Sequence, residues 1–269
     1  MAVLLSSAAI LYYRATLIQM AIVFLATLAY LFHIRVMDEE RDFKHDSKHH
    51  KCRPIQQGVI LIDELKKINI FGLIIFIAAA LVYGKSSILI ATIALSYTFL
   101  ASRDFFLGEK IRRKFFIYNA INMIQMVLLQ LFIYAAFTRS LEVNQAMWLH
   151  LFFVIVNSII MEVVRKIKIK SEESTGQDTY SGRIGFSKSL IMYLLLVIFD
   201  YLIFIWLLYS LTHAIRIYFL ISLPIIIFSV ISIAVHYRIR MKKSENALLL
   251  SAVVFYVVLN LIIYFFNSL

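Results

Sequence analysis

The chain of 269 residues is 62% hydrophobic, with a mean hydropathy of +0.84. Soluble domains are only about half apolar, and here apolar runs of about twenty residues recur along the whole length, so a soluble protein is excluded. The absence of about ten-residue alternation excludes a barrel, the single cysteine, Cys52, excludes an internal disulfide, and the net charge of +11 reads as basic loops on one side of a bilayer rather than as a nucleic-acid surface.

The fold class is all-α, a polytopic transmembrane helical bundle. Residues 1–12 are apolar, but as a helix they would reach only about 18 Å, too short for the hydrocarbon core, so they are expected to form a partial N-terminal helix. They have no basic start and no small-residue cleavage pattern, which argues against a signal peptide. Eight spans are predicted, near 15–37, 59–83, 86–107, 115–138, 145–167, 187–211, 215–237 and 246–267. If the first span exits into the cytoplasm, 23 basic residues fall in inside loops, against Arg14, Lys85, Arg139 and Arg216 outside. The positive-inside rule therefore places both termini outside. No soluble domain, low-complexity stretch or internal repeat interrupts the chain, and a single membrane-embedded domain is expected over 1–269.

The outside loops are short, whereas two inside loops are long and carry acids as well as bases. Chemistry is expected there, at the cytoplasmic face of the cell membrane. In the first loop Asp38, Asp42 and Asp46 recur every four residues, so on a helix leaving the membrane they share a face and repel one another. Such a stack suits a hard cation, and Mg²⁺ binds through a few carboxylates and substrate phosphates. A solvated helix end, salt-bridged by Arg41 and Lys44, explains the same spacing. The second loop carries Glu162, Arg165 and Lys166, then Glu172, Glu173, Gly176, Asp178 and Thr179, then Gly185. Alone it reads as a solvated charge run, but two acid-and-base loops on the same face are what a metal–phosphate site requires. His45, His49, His50 and Cys52 invite a zinc reading, against which stand the surrounding lysines; an exposed pair of histidines one turn apart is the simpler account. Asp200 falls inside a span, where a carboxylate must face the protein interior; a helix-packing hydrogen bond is the expected role and a proton relay the other.

Taken together, Asp38-Glu39-x-x-Asp42-x-x-x-Asp46, then His50-x-x-Arg53-Pro54 and Gly58, resembles the first signature of the UbiA superfamily of intramembrane prenyltransferases. Glu172, Gly176 and Thr179, with Gly185 beyond, are similar to its second acidic motif. There are three departures. Lys168 stands where the family carries the partner acid of the second motif, with Glu162 the nearest acid upstream. The family's mid-chain Tyr-x-x-x-Lys is represented by Tyr97 with Arg103 further on. The first of the family's nine helices is reduced to a fragment. The resemblance implies a ring of helices around a lipid-open cavity and Mg²⁺-dependent transfer of a prenyl group from an isoprenyl diphosphate to an aromatic or other hydrophobic acceptor within the bilayer. It implies Asp38, Glu39, Asp42, Asp46, Glu162, Glu172 and Glu173 as metal ligands, and Arg53, Arg103, Arg165 and Lys166 as contacts to the diphosphate or an acceptor anion. A non-catalytic relative of the same fold and a membrane transporter are the alternatives; only Asp200 favours the transporter. A CDP-alcohol phosphotransferase is excluded because its Asp-Gly-x-x-Ala-Arg signature is missing.

Overall fold

The computed structural model describes residues 1–11, 13–140, 144–173, 178–211 and 215–266, and among these there is no strand. The predicted Gly176 of the second motif lies outside the described residues. The helices are α1 (Ala2–Ile10), α2 (Leu17–His49), α3 (Ile62–Tyr83), α4 (Lys85–Ser102), α5 (Glu109–Arg112), α6 (Phe115–Thr138), α7 (Gln145–Arg165), α8 (Tyr180–Ile184), α9 (Phe186–Leu211), α10 (Ile215–Ile239) and α11 (Lys242–Phe266). Eight of them are long and apolar enough to cross a membrane, and they are the eight that the apolar runs predict. Large apolar side chains such as Phe71, Leu81, Leu202 and Trp206 are exposed on these helices. In water such a surface would aggregate; in hydrocarbon it is the face that lipid requires. The chain is a multi-pass membrane protein.

Two boundaries differ from expectation in ways that matter for the site. Helix α2 does not end near residue 37 but continues to His49, a length of 33 residues. At 1.5 Å per residue it is about 50 Å long, so a hydrocarbon core of about 30 Å leaves its last turns clear of the apolar layer. Its start is fixed by a reciprocal cap, in which Thr16 Oγ1 accepts from the Gln19 amide at 3.3 Å and Gln19 Oε1 accepts from the Thr16 amide at 2.9 Å. Helix α4 ends at Ser102 rather than 107. The next three residues after Arg103, namely Asp104, Phe105 and Phe106, have φ of 50°, 54° and 59°, a left-handed run that no α-helix can contain.

The contacts sort the chain into two compact units, one of Tyr13–Glu142 and one of Met1–Tyr12 with Val143–Leu269. In the first, Tyr30, Phe76 and Phe132 are fully buried; Tyr30 stacks on Phe76 with ring centroids 4.9 Å apart, and Phe132 packs tilted against Phe76 at 4.6 Å. The Tyr30 hydroxyl reaches Thr98 Oγ1 at 2.9 Å, and the Asn69 amide lies 3.0 Å from His33 Nδ1, so α2 is tied to both α4 and α3 by buried polar contacts.

In the second unit, α1 is held by a buried polar knot. Ser6 Oγ donates to Asn260 Oδ1 at 2.7 Å and lies 2.9 Å from His150 Nε2, joining α1, α7 and α11. The short N-terminal helix is therefore an integral part of this unit. On α9, Asp200 is fully buried, yet neither carboxyl oxygen has a hydrogen-bond partner among the described residues. The expected helix-packing hydrogen bond is not made among the described residues. An unsatisfied buried carboxyl group is a cost with no return, so Asp200→Ala is expected to stabilise the protein by about 1 kcal/mol, read as a higher thermal midpoint in detergent. A lower midpoint would show that the carboxyl group has a partner in solution.

Candidate active site

The C-terminal half of α2 gathers the acids of the first loop. Asp38 and Asp42, one turn apart, both converge on the guanidinium of Arg41: Nη2 lies 2.8 Å from Asp38 Oδ1, and Nε and Nη2 each donate to Asp42 at 3.1 Å. The Arg41 side chain is only 7% exposed, and it packs 5.4 Å from the Tyr118 ring centre. A second arginine closes the network. Arg112 Nη1 stands 3.5 Å from Asp42, while its Nε donates to Asp104 Oδ2 at 2.7 Å, and the Tyr118 hydroxyl donates to Asp104 Oδ1 at 3.3 Å. Asp104 can reach both because it lies in the left-handed turn after α4. Glu39 is buried and accepts from Arg35 through Oε1, while its Oε2 has no hydrogen-bond partner among the described residues. Asp46 is separated from this group and pairs with Arg53.

Arg103 is exposed and does not take part in this network. The cation that reaches Asp42 besides Arg41 is Arg112, which the sequence motifs do not single out. Tyr97 donates its hydroxyl to the Ile121 carbonyl at 2.9 Å, which occupies it within the first unit.

In the other unit the acids of the second loop are each engaged locally. Glu162, at the end of α7, pairs with Arg165 and, at 2.7 Å, with Lys166. Glu172 faces Lys242 at 3.4 Å. Glu173 accepts the hydroxyl protons of Thr179 and Ser181, and Ser181 Oγ in turn accepts from the Lys168 amide at 2.8 Å. The loop is thereby folded onto the start of α8. Gly182 fits so closely here that a Cβ would lie 2.9 Å from Thr179 Oγ1. Lys168, standing where the family has an acid, places its ammonium 2.6 Å from the buried Glu245 on α11. Lys242 approaches the same carboxylate oxygen at 3.0 Å. Glu245 was not among the predicted residues, and only its place three residues after Lys242 hinted at a pairing.

Mg²⁺ prefers a small number of hard carboxylate oxygens and shares them with phosphate. The first loop fits that demand: two carboxylates already converge on one positive charge, and the buried Glu39 has an orphaned oxygen. The acids of the second loop, like those of the first, are paired when no ion is bound. They are neutralised by bases or occupied by hydroxyls, and a lysine stands at the key position.

No protein-family model and no curated protein matches the chain. Among solved structures, the apo structure of a UbiA homolog from Aeropyrum pernix K1 is similar, with a TM-score of 0.63 over 95% of this chain and 94% of that chain at 15% identity. This likeness establishes the fold, and it does so over nearly the whole of both chains. It agrees with the resemblance carried by the sequence from Asp38 to Gly58. The chain is thus a multi-pass, all-helical membrane protein with the fold of the UbiA superfamily.

Proposed function

We propose that the protein is a Mg²⁺-dependent prenyltransferase acting on an isoprenyl diphosphate and a hydrophobic or aromatic acceptor in the bilayer. The observation that carries this reading is the convergence of Asp38 and Asp42 on one buried positive charge, at the end of a helix that outlasts the hydrocarbon core, in a chain with this fold. Asp38, Asp42 and Glu39 would hold the ion, and bound Mg²⁺ neutralises charge on the diphosphate leaving group. Arg41 orients Asp38 and Asp42, Arg112 orients Asp42, and both guanidinium groups would be available to donate to diphosphate oxygens. Arg165 and Lys166, at the end of α7, and Arg53 and Arg103 are proposed as contacts to the diphosphate or to an acceptor anion. Glu162 and Glu172 hold Lys166 and Lys242 in position.

In the reaction the bond between the allylic carbon and the diphosphate oxygen breaks, and the electron pair leaves with the diphosphate. The acceptor's nucleophilic atom then bonds to the allylic carbon and loses a proton. Apolar surroundings keep water from quenching the cation. On this reading the whole chain works as one membrane domain with its acidic loops on the cytoplasmic side, which the asymmetry of basic residues supports.

The test is diphosphate release from geranylgeranyl diphosphate by the purified protein in lipid, with and without Mg²⁺. Release that needs the metal is expected. No release across several prenyl lengths and acceptors would instead identify a non-catalytic protein of the same fold, an outcome that the lysine at position 168 makes specific.

A further inference from the structure

Beyond Asp42 the first loop changes chemistry. His45 and Asp46 occupy the last turn of α2, and His50 caps it, its amide donating to the Asp46 carbonyl at 2.7 Å. That cap turns the His50 ring back toward the helix. One ligand atom each from His45, Asp46 and His50 then lies within 4.8 Å of the others, a triangle that one metal ion can bridge. Asp46 is buried and the two histidines are half-buried, so the triangle is shielded from bulk water on one side and open on the other.

Three further observations favour a cation here. The C-terminal end of a long helix carries partial negative charge. Arg53 binds Asp46 Oδ2 and so fixes the carboxylate's orientation, as hydrogen-bonded partners of metal-bound carboxylates do. The lysines that argued against a metal in the sequence, Lys44, Lys48 and Lys51, are all exposed, where solvent screens them.

We propose that His45, Asp46 and His50 form a second cation site, distinct from the Asp38–Asp42 group and selective for a borderline divalent ion of the Zn²⁺ type. Two imidazole nitrogens and one carboxylate oxygen are the donor set of such ions, whereas Mg²⁺ takes oxygen alone. A tetrahedral ion held by three protein ligands keeps its fourth position for water or an anion. The site fastens the loop that begins at His50 to the end of α2. Asp46 thereby belongs to this site rather than to the Mg²⁺ group.

The test is Zn²⁺ titration by calorimetry on tag-free, chelator-stripped protein in lipid nanodiscs, with Co²⁺ as a spectroscopic substitute whose visible bands report nitrogen ligation. One ion per chain is expected, undiminished by excess Mg²⁺ and retained in Asp42→Asn. His45→Gln and His50→Gln are each expected to weaken uptake by at least about 100-fold, because residues that only orient a ligand already contribute about 10- to 100-fold. A Zn²⁺-dependent rise in thermal midpoint of the unaltered protein is expected as well, which gives a readout independent of whether the variants fold. Unaltered protein that takes up no Zn²⁺, uptake that survives both histidine changes, or uptake abolished by Mg²⁺ would overturn the site.

Discussion

Asp42→Asn is expected to reduce Mg²⁺-dependent diphosphate release by about 100-fold or more while leaving the protein inserted and folded. The substitution keeps the shape of the side chain and removes its charge. The fold survives because the local network is redundant: Arg41 keeps Asp38 at 2.8 Å, and Arg112 keeps Asp104 at 2.7 Å. The apolar part of α2 that crosses the membrane precedes the change, so insertion is untouched. What is lost is one of the three carboxylates proposed to share an ion with the diphosphate, and a preorganised charge at a leaving group has effects of this size. Diphosphate release, measured beside the thermal midpoint, separates the two effects. Unchanged release would remove the first loop from the active site. A collapse of the midpoint would show Asp42 to be a structural partner of the arginines.

The end of α2 shows why this group was partly readable from sequence. A four-residue spacing of aspartates has meaning only on a helix, and the i, i+3 pairing of Asp38 with Arg41 is the local contact that such spacing predicts. The eight spans were readable for a similar reason, since hydrocarbon imposes one length and one composition on every crossing helix. Residues that act through turns or distant segments were not. Arg112 reaches Asp42 only because Asp104, in a left-handed turn, draws it there, and no periodic signal marks three successive positive φ values at non-glycine residues. Asp46 was assigned by spacing to its fellow aspartates; that it also pairs with Arg53 and lies beside His45 and His50 depends on the helix cap, which no spacing shows. Glu245 lies 77 residues from Lys168 in the chain, beyond the reach of any motif.

The pairing of Lys168 with Glu245 yields the second large effect, on stability. The Glu245 side chain is 7% exposed, and its Oε1 takes both ammonium groups while its Oε2 has no hydrogen-bond partner among the described residues. Lys168→Met leaves this carboxylate with Lys242 alone, which is half-exposed and spread between Glu245 and Glu172. Stranding a buried charge in this way is expected to lower stability by about 2 kcal/mol, less than for a fully enclosed pair because Lys242 remains. The combination Lys168→Met with Glu245→Leu removes both charges, and most of the loss should return, since replacing an ion pair by apolar groups of similar size is often neutral or better. Thermal unfolding of the two single variants and the double variant measures this directly, and a double variant no more stable than the worse single one would contradict it. The same three proteins decide what Lys168 does in the reaction. Its charge is satisfied by Glu245, so the double variant should retain Mg²⁺-dependent diphosphate release with an unchanged KM. If it is stable yet inactive, or its KM rises sharply, the lysine that replaces the family's acid binds the diphosphate itself, and Glu245 is the group that holds it ready.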